Sequence, residues 1–115
     1  MAANKRGYRR KIPEAFEDIT WRPENAEAHF QKHGIPFELA KQLDWSDILK
    51  RKDVEHRDSP ERFNALVRLP AQTSFGEDFV FFVVYTKVYR LLHVISIRPA
   101  NAQEREQFRR RSEAP

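Results

Sequence analysis

Cysteine is absent from the 115-residue sequence. Its absence removes disulfides, thiolate metal sites and thiol nucleophiles together, and suits a reducing compartment. Glycine is scarce, with three residues and none clustered, so no loop can cradle a nucleotide phosphate through successive backbone amides. Long apolar runs are missing too. The longest, Phe79 to Tyr85, falls far short of the roughly 20 residues a membrane-spanning helix needs and reads as a strand. The basic opening stretch runs into Pro13-Glu14 and Glu17-Asp18 with no apolar segment between, so a secretory signal is not expected. These absences exclude nucleotide-dependent and thiol chemistry and predict a cytoplasmic protein without a membrane partner.

Apolar residues make up 40% of the chain and charged residues 33%, a balance that folds rather than stays disordered. The length suits one domain with one modest core. Lys and Arg outnumber Asp and Glu by 21 to 17, a net charge of +4. This favours an anionic partner, because clustered cations release counterions when they meet phosphates. Residues 1–14 carry Lys5, Arg6, Arg9, Arg10 and Lys11 with almost nothing apolar to bury, which predicts a flexible basic arm ahead of a single domain over 15–115.

Phe16, Ile19 and Trp21 alternate with polar residues and predict a short first strand. Pro23 suits a first helical position, Ala26 and Phe30 share a helical face, and Gly34 can take the left-handed C-cap conformation. A second short helix is expected after Pro36, where Phe37, Ala40 and Leu43 recur at helical spacing, with Asp44 to Ser46 ending it. Four strands follow, over Ile48 to Val54, Arg62 to Leu69, Phe79 to Thr86 and Leu91 to Arg98. Turns at Asp58-Ser59-Pro60 and Ser74-Phe75-Gly76-Glu77, and a tight connection at Lys87 to Arg90, would pair them antiparallel. Asn101 and Glu104 have capping-box spacing, opening a last helix that Arg109, Arg110 and Arg111 close. The order predicts an α+β fold: an antiparallel sheet of four to five strands, two N-terminal helices and a closing C-terminal helix. Phe79 to Tyr85 is apolar at both parities, so both sheet faces need cover. The second face calls for the closing helix or another chain.

Several segments together resemble the BrnT family of toxins. They are Trp21-Arg22-Pro23-Glu24-Asn25 and the segment from Lys32-His33-Gly34 through Phe37-Glu38, then Glu61-Arg62-Phe63, Val84-Tyr85-Thr86, Ile95-Ser96-Ile97-Arg98-Pro99-Ala100 and Glu104-Arg105. They lie in the family's order over about residues 19–108. The resemblance implies a RelE-like fold and a type II toxin that acts as a metal-independent endoribonuclease, inhibits translation and needs no cofactor. It also implies a hetero-oligomer with a ribbon-helix-helix antitoxin of the BrnA type, DNA being met only through that complex. Departures are Arg22, Asn25, His29, Val67 and His93, where the family usually has Asp, Lys, Asn, Gly and Arg. Arg22 removes an N-cap oxygen and predicts a weaker helix start. The departures also motivate the alternative of a non-catalytic RNA-binding or corepressor module on the same fold.

Metal-independent RNA cleavage sends the 2′-hydroxyl onto the adjacent phosphorus. It requires a proton acceptor, cations for the crowded phosphate and a donor for the leaving 5′-oxygen. Arg62 and Arg98 suit the cationic role, through forks that grip phosphate oxygens. Imidazole suits proton transfer at neutral pH in general, which makes His33 and His93 the candidates for that role. Each has a plainer reading. Arg98 can anchor the last strand through Glu104, Arg62 can pair with Glu61 or Glu55, and His33 can bond helix carbonyls. His93 shares a parity with Ile95 and Ile97, so its plainer reading is a satisfied, partly buried histidine. Lys32, Trp21 and Tyr85 are the candidate RNA contacts, one cation and two stacking rings, the plainer reading being a solvated lysine and two core rings. Trp45 is a candidate for a partner surface. His29 and His33 have the spacing of a helical zinc pair, but Phe30 stands where the general-base Glu of a zinc protease would be.

Overall fold

The structure, a computed structural model, describes residues 9–12, 14–52, 61–70 and 79–110. Its six strands are β1 (Arg9–Ile12), β2 (Asp18–Thr20), β3 (Asp44–Lys52), β4 (Arg62–Leu69), β5 (Phe79–Val88) and β6 (Leu91–Pro99). The helices are α1 (Pro23–His33) and α2 (Ala102–Arg109), with a 3-10 helix at Phe37–Gln42. All six strands form one sheet in the order β1-β3-β4-β5-β6-β2. The α+β class stands, but the expected all-antiparallel sheet of four to five strands gives way to a mixed one. β2 runs parallel to β6, through Ile19↔Leu92 and Thr20↔His93. The turns expected at 58–60 and 74–77, the basic residues before Arg9, and Arg111 lie outside the described residues.

Local chemistry accounts for the element ends. Pro23 opens α1 behind Arg22, whose side chain makes no cap bond, and Gly34 closes it at φ 72° with its N–H donating to Phe30 O. The capping box of α2 forms in full: Asn101 Oδ1 accepts from Glu104 N at 2.8 Å, and Glu104 Oε1 accepts from Asn101 N at 2.9 Å. The second expected helix is a 3-10 turn and stops at Gln42. Asp44 to Ser46, read as its end, instead begin β3. Asp44 is held there by Arg68, whose Nε and Nη2 donate to its Oδ2 at 3.1 and 2.8 Å. Arg9–Ile12, within the stretch read as an arm, pair with β3 through Arg9↔Lys50, Arg10↔Leu49 and Ile12↔Ile48.

Both faces of β5 are covered, by different means. On one face Val83 and Tyr85 pack with Ile48, Ala65, Val67, Leu92, Val94 and Ile97 beneath Phe37, Ala40 and Trp45. The 3-10 helix supplies the buried cover here, and α1 contributes no buried residue. α1 is tied on by His29, whose Nε2 lies 2.5 Å from Ile97 O. Trp45, a candidate for a partner surface, is a core residue instead. Its Nε1 donates to Ala40 O at 2.8 Å, and its ring meets Phe16 and Tyr85 edge-on. On the other face α2 lays Phe108 over Leu49, Leu66 and Phe82. The closing helix thus provides the cover the apolar strand requires.

The first core is stitched to the N-terminal segment by a buried carboxylate. Glu14 accepts from Tyr85 Oη at 2.5 Å, Lys50 Nζ at 3.0 Å and Lys87 Nζ at 2.8 Å. Burial pushes the Glu14 carboxyl up, but the hydrogen bonds from Lys87, Tyr85 and Lys50, with the Lys50 charge, outweigh it and hold it below its ordinary value. The same burial, reinforced by the adjacent carboxylate, drives the Tyr85 hydroxyl far above its ordinary value.

Candidate functional site

Strand register sorts the candidate residues by face. Side chains alternate across a strand, and paired residues share a face. Arg62 pairs with Thr86, Thr86 with His93, and His93 with Thr20, so these four form one row across β4, β5, β6 and β2. The next row on that face is Arg51, Asn64, Val84 and Ser96, and the one beyond it is Leu49, Leu66, Phe82 and Arg98. This is the face that α2 covers at its Leu49–Phe82 end. Arg62 and His93 therefore stand about 10 Å apart at the backbone, two strand spacings. Arg51 sits diagonally about 8 Å from Arg62.

His93 joins this row because of a bulge. Val84 pairs with Ser96 but Tyr85 pairs with Val94, which leaves Ile95 as an extra residue in β6. The parity His93, Ile95, Ile97 is broken there, yet His93 is half-buried, as the plainer reading of a satisfied, partly buried histidine expects. Ile97 and Val94 both enter the first core, and His93 turns to the opposite face. Its Nδ1 lies 3.0 Å from Thr20 Oγ1, and its Nε2 has no hydrogen-bond partner among the described residues. If the threonine hydroxyl donates, Nε2 carries the proton; if it accepts, Nε2 offers a lone pair.

The plainer reading of Arg62 loses one of its partners, because Glu61 pairs with Lys52. Glu55 lies outside the described residues. Among the described residues Arg62 has no ion-pair partner. Arg98 is the opposite case. Its Nη1 and Nη2 donate to Glu104 Oε1 and Oε2 at 2.8 and 2.9 Å, and its guanidinium lies 4.1 Å from the Phe82 ring centroid. Burial pushes the Glu104 carboxyl up, and bonds from Arg98 and the Asn101 amide, with the charges of Arg98 and Arg51, bring it below its ordinary value. Arg98 stands two rows from Arg62, roughly 16 Å between backbones.

His33 and Lys32 lie exposed in the last turn of α1, on the opposite layer of the molecule. Trp21 is half-buried, edge-on to Phe37, with Lys41 Nζ 5.3 Å from its ring centroid. Tyr85 is fully buried, with its ring taken by Phe63 and Trp45 and its hydroxyl by Glu14, which leaves no face for a nucleobase. The sequence reading passed over Arg51 and Asn64. Arg51 lies among several basic residues of an expected strand, and Asn64 reads as an ordinary polar strand residue, so neither carries a signal of its own. Asn64 is 7% exposed, and its Oδ1 has no hydrogen-bond partner among the described residues. A buried unmet acceptor costs about 1–3 kcal/mol, and so favours a ligand that brings a donor.

Over residues 21–104 the chain matches the family described as ribonuclease toxin, BrnT, of type II toxin-antitoxin systems. The chain belongs to the BrnT family. Among curated proteins none matches closely enough to count as a relative. The BrnT segment takes in α1, the strands β3 to β6 and the first turn of α2, and with them Arg51, Arg62, Asn64, His93 and Arg98. Glu14 and Thr20 stand outside it. Membership makes this a ribonuclease toxin of a type II system, with an antitoxin as partner. Among the described residues no helix is long and apolar enough to cross a membrane.

Proposed function

We propose that the sheet face carrying Arg62, Thr86, His93 and Thr20 cleaves RNA without a metal ion, as the toxin of a pair whose antitoxin silences it. What supports this reading is the single row that sets an arginine with no ion pair among the described residues about 10 Å from a histidine re-aimed by a bulge. The scissile phosphate lies between them. Arg62 grips its non-bridging oxygens, and Arg51 adds positive potential from the next row. The 2′-oxygen bonds to phosphorus as the bond to the 5′-oxygen breaks. The products are a 2′,3′-cyclic phosphate and a 5′-hydroxyl. The hydroxyl proton passes in net terms from the 2′-oxygen to the 5′-oxygen, and His93 Nε2 is the group placed to transfer it.

Arg98, committed to Glu104, becomes an anchor for α2 rather than a phosphate ligand. His33, Lys32, Trp21 and Tyr85 fall away from the reacting centre. In this reading the toxin is cytoplasmic, has a RelE-like fold and stops translation, and its partner is a BrnA-like ribbon-helix-helix antitoxin that alone contacts DNA. The rival reading, a binding module without catalysis, draws on His93 replacing the family's arginine and on the occupied state of Arg98.

Cleavage by the purified chain, free of antitoxin, separates the two. An RNA oligonucleotide should be cut to a 2′,3′-cyclic phosphate end in the presence of EDTA. The same oligonucleotide with a 2′-deoxy residue at the cut site should remain whole. Binding with no cleavage of either would establish the binding module, and loss of cleavage in EDTA would remove the metal-independent mechanism.

A further inference from the structure

The β5–β6 hairpin closes through two residues, Tyr89 and Arg90, between the paired Val88 and Leu91. A connection this short requires a positive φ at its first central position, where glycine, asparagine or aspartate is the usual occupant. Here the residue is Tyr89, at φ 57°. A bulky aromatic pays in strain for that conformation, and strain of this kind is kept at sites where the side chain does something outside the fold. Tyr89 does nothing inside it: the residue is 96% exposed. Neither the turn nor the core explains the ring.

Resting on the ribonuclease reading above, the geometry points to Tyr89 as a stacking platform for a nucleobase next to the scissile phosphate. Tyr89 follows Thr86 by three residues, one past the end of β5, which puts the tip about 10 Å past the Arg62–His93 row. A strand of RNA held at that row would reach it with a flanking nucleotide. Base stacking needs one open ring face and nearby cations, and tolerates any sequence. Arg90 follows directly, paired at 3.1 Å with Glu17 at a largely exposed contact that a phosphate can compete for. A protein partner would want a broader apolar patch around an anchoring tyrosine. The large apolar residues flanking the turn are Val88, exposed, and Leu91, half-buried across from it, a small patch.

The test uses the full chain and a single-stranded RNA whose 2′-positions are all O-methylated, so that binding is read without cleavage. Tyr89→Gly suits the backbone of the turn and should fold at least as well as the parent. It should weaken RNA affinity about tenfold, the effect of losing one base stack, and Tyr89→Trp should keep the affinity within about twofold. Unchanged RNA affinity in Tyr89→Gly, with the parent still cleaving RNA, overturns the platform and leaves the ribonuclease reading intact. Loss of antitoxin binding with RNA affinity unchanged overturns it in the same way and marks the tip as a protein contact. A parent chain that neither binds nor cleaves RNA overturns both.

Discussion

Arg62→Ala should slow RNA cleavage by about 10²–10³-fold, the scale seen when one preorganised donor to a developing charge is removed. Its melting temperature should stay within the small range typical of surface changes. The two expectations go together because the guanidinium has no ion pair among the described residues. Removing it strands no buried partner. Arg62→Lys keeps the charge but loses the fork and should fall between parent and alanine. The contrast is Arg98, whose two bonds to Glu104 and stacking on Phe82 hold the closing helix to the sheet. Single-turnover rates alongside thermal melts separate a phosphate ligand from an anchor. A large loss of stability in Arg62→Ala, with the rate per folded molecule unchanged, would place Arg62 among the anchors.

Glu14→Ala should have the largest effect on stability, about 3 kcal/mol at neutral pH, which is on the order of 10–20 °C in melting temperature for a domain of this size. The carboxylate takes three donors, and its loss leaves the Tyr85 hydroxyl buried without an acceptor and two lysines without their counter-charge. The pH dependence follows from the sign of the shift. The folded carboxyl titrates below its ordinary value of 4.5. Its stabilisation is therefore complete above that value and is lost as pH falls through the lower folded value. Urea unfolding of parent and Glu14→Ala should differ most near pH 7 and converge in acid. A gap that persists unchanged at low pH would mean that the ion cluster contributes little beyond packing.

Much of the fold was written in local signals. Pro23 and Gly34 bound α1, Asn101 and Glu104 cap α2, and Arg62–Leu69 is a strand with the limits its pattern predicts. What escaped depends on long-range pairing. Arg9–Ile12 looks like an arm because its composition is basic, and becomes a strand only because β3 offers an edge. Asp44 to Ser46 look like a helix end because Asp and Ser compete with the backbone for hydrogen bonds, yet Arg68 from β4 draws Asp44 into the sheet. The candidate site suffered most from one inserted residue. Strict alternation sends His93 into the core beside Ile97, and the bulge at Ile95, which has no signature in a run of apolar residues, sends it to the other face. Arg62 and His93 were legible as residue types. Their shared row, and the exclusion of His33 and Arg98 from it, were not.

The pH–rate profile of RNA cleavage by His93→Ala beside His33→Ala tests the central claim most directly, because the two histidines lie on opposite layers of the sheet. If the row from Arg62 to Thr20 is where RNA is cut, His93→Ala loses one limb of the profile and His33→Ala retains the parent's. A profile altered in His33→Ala and intact in His93→Ala would contradict the account and move the site to the layer that carries α1.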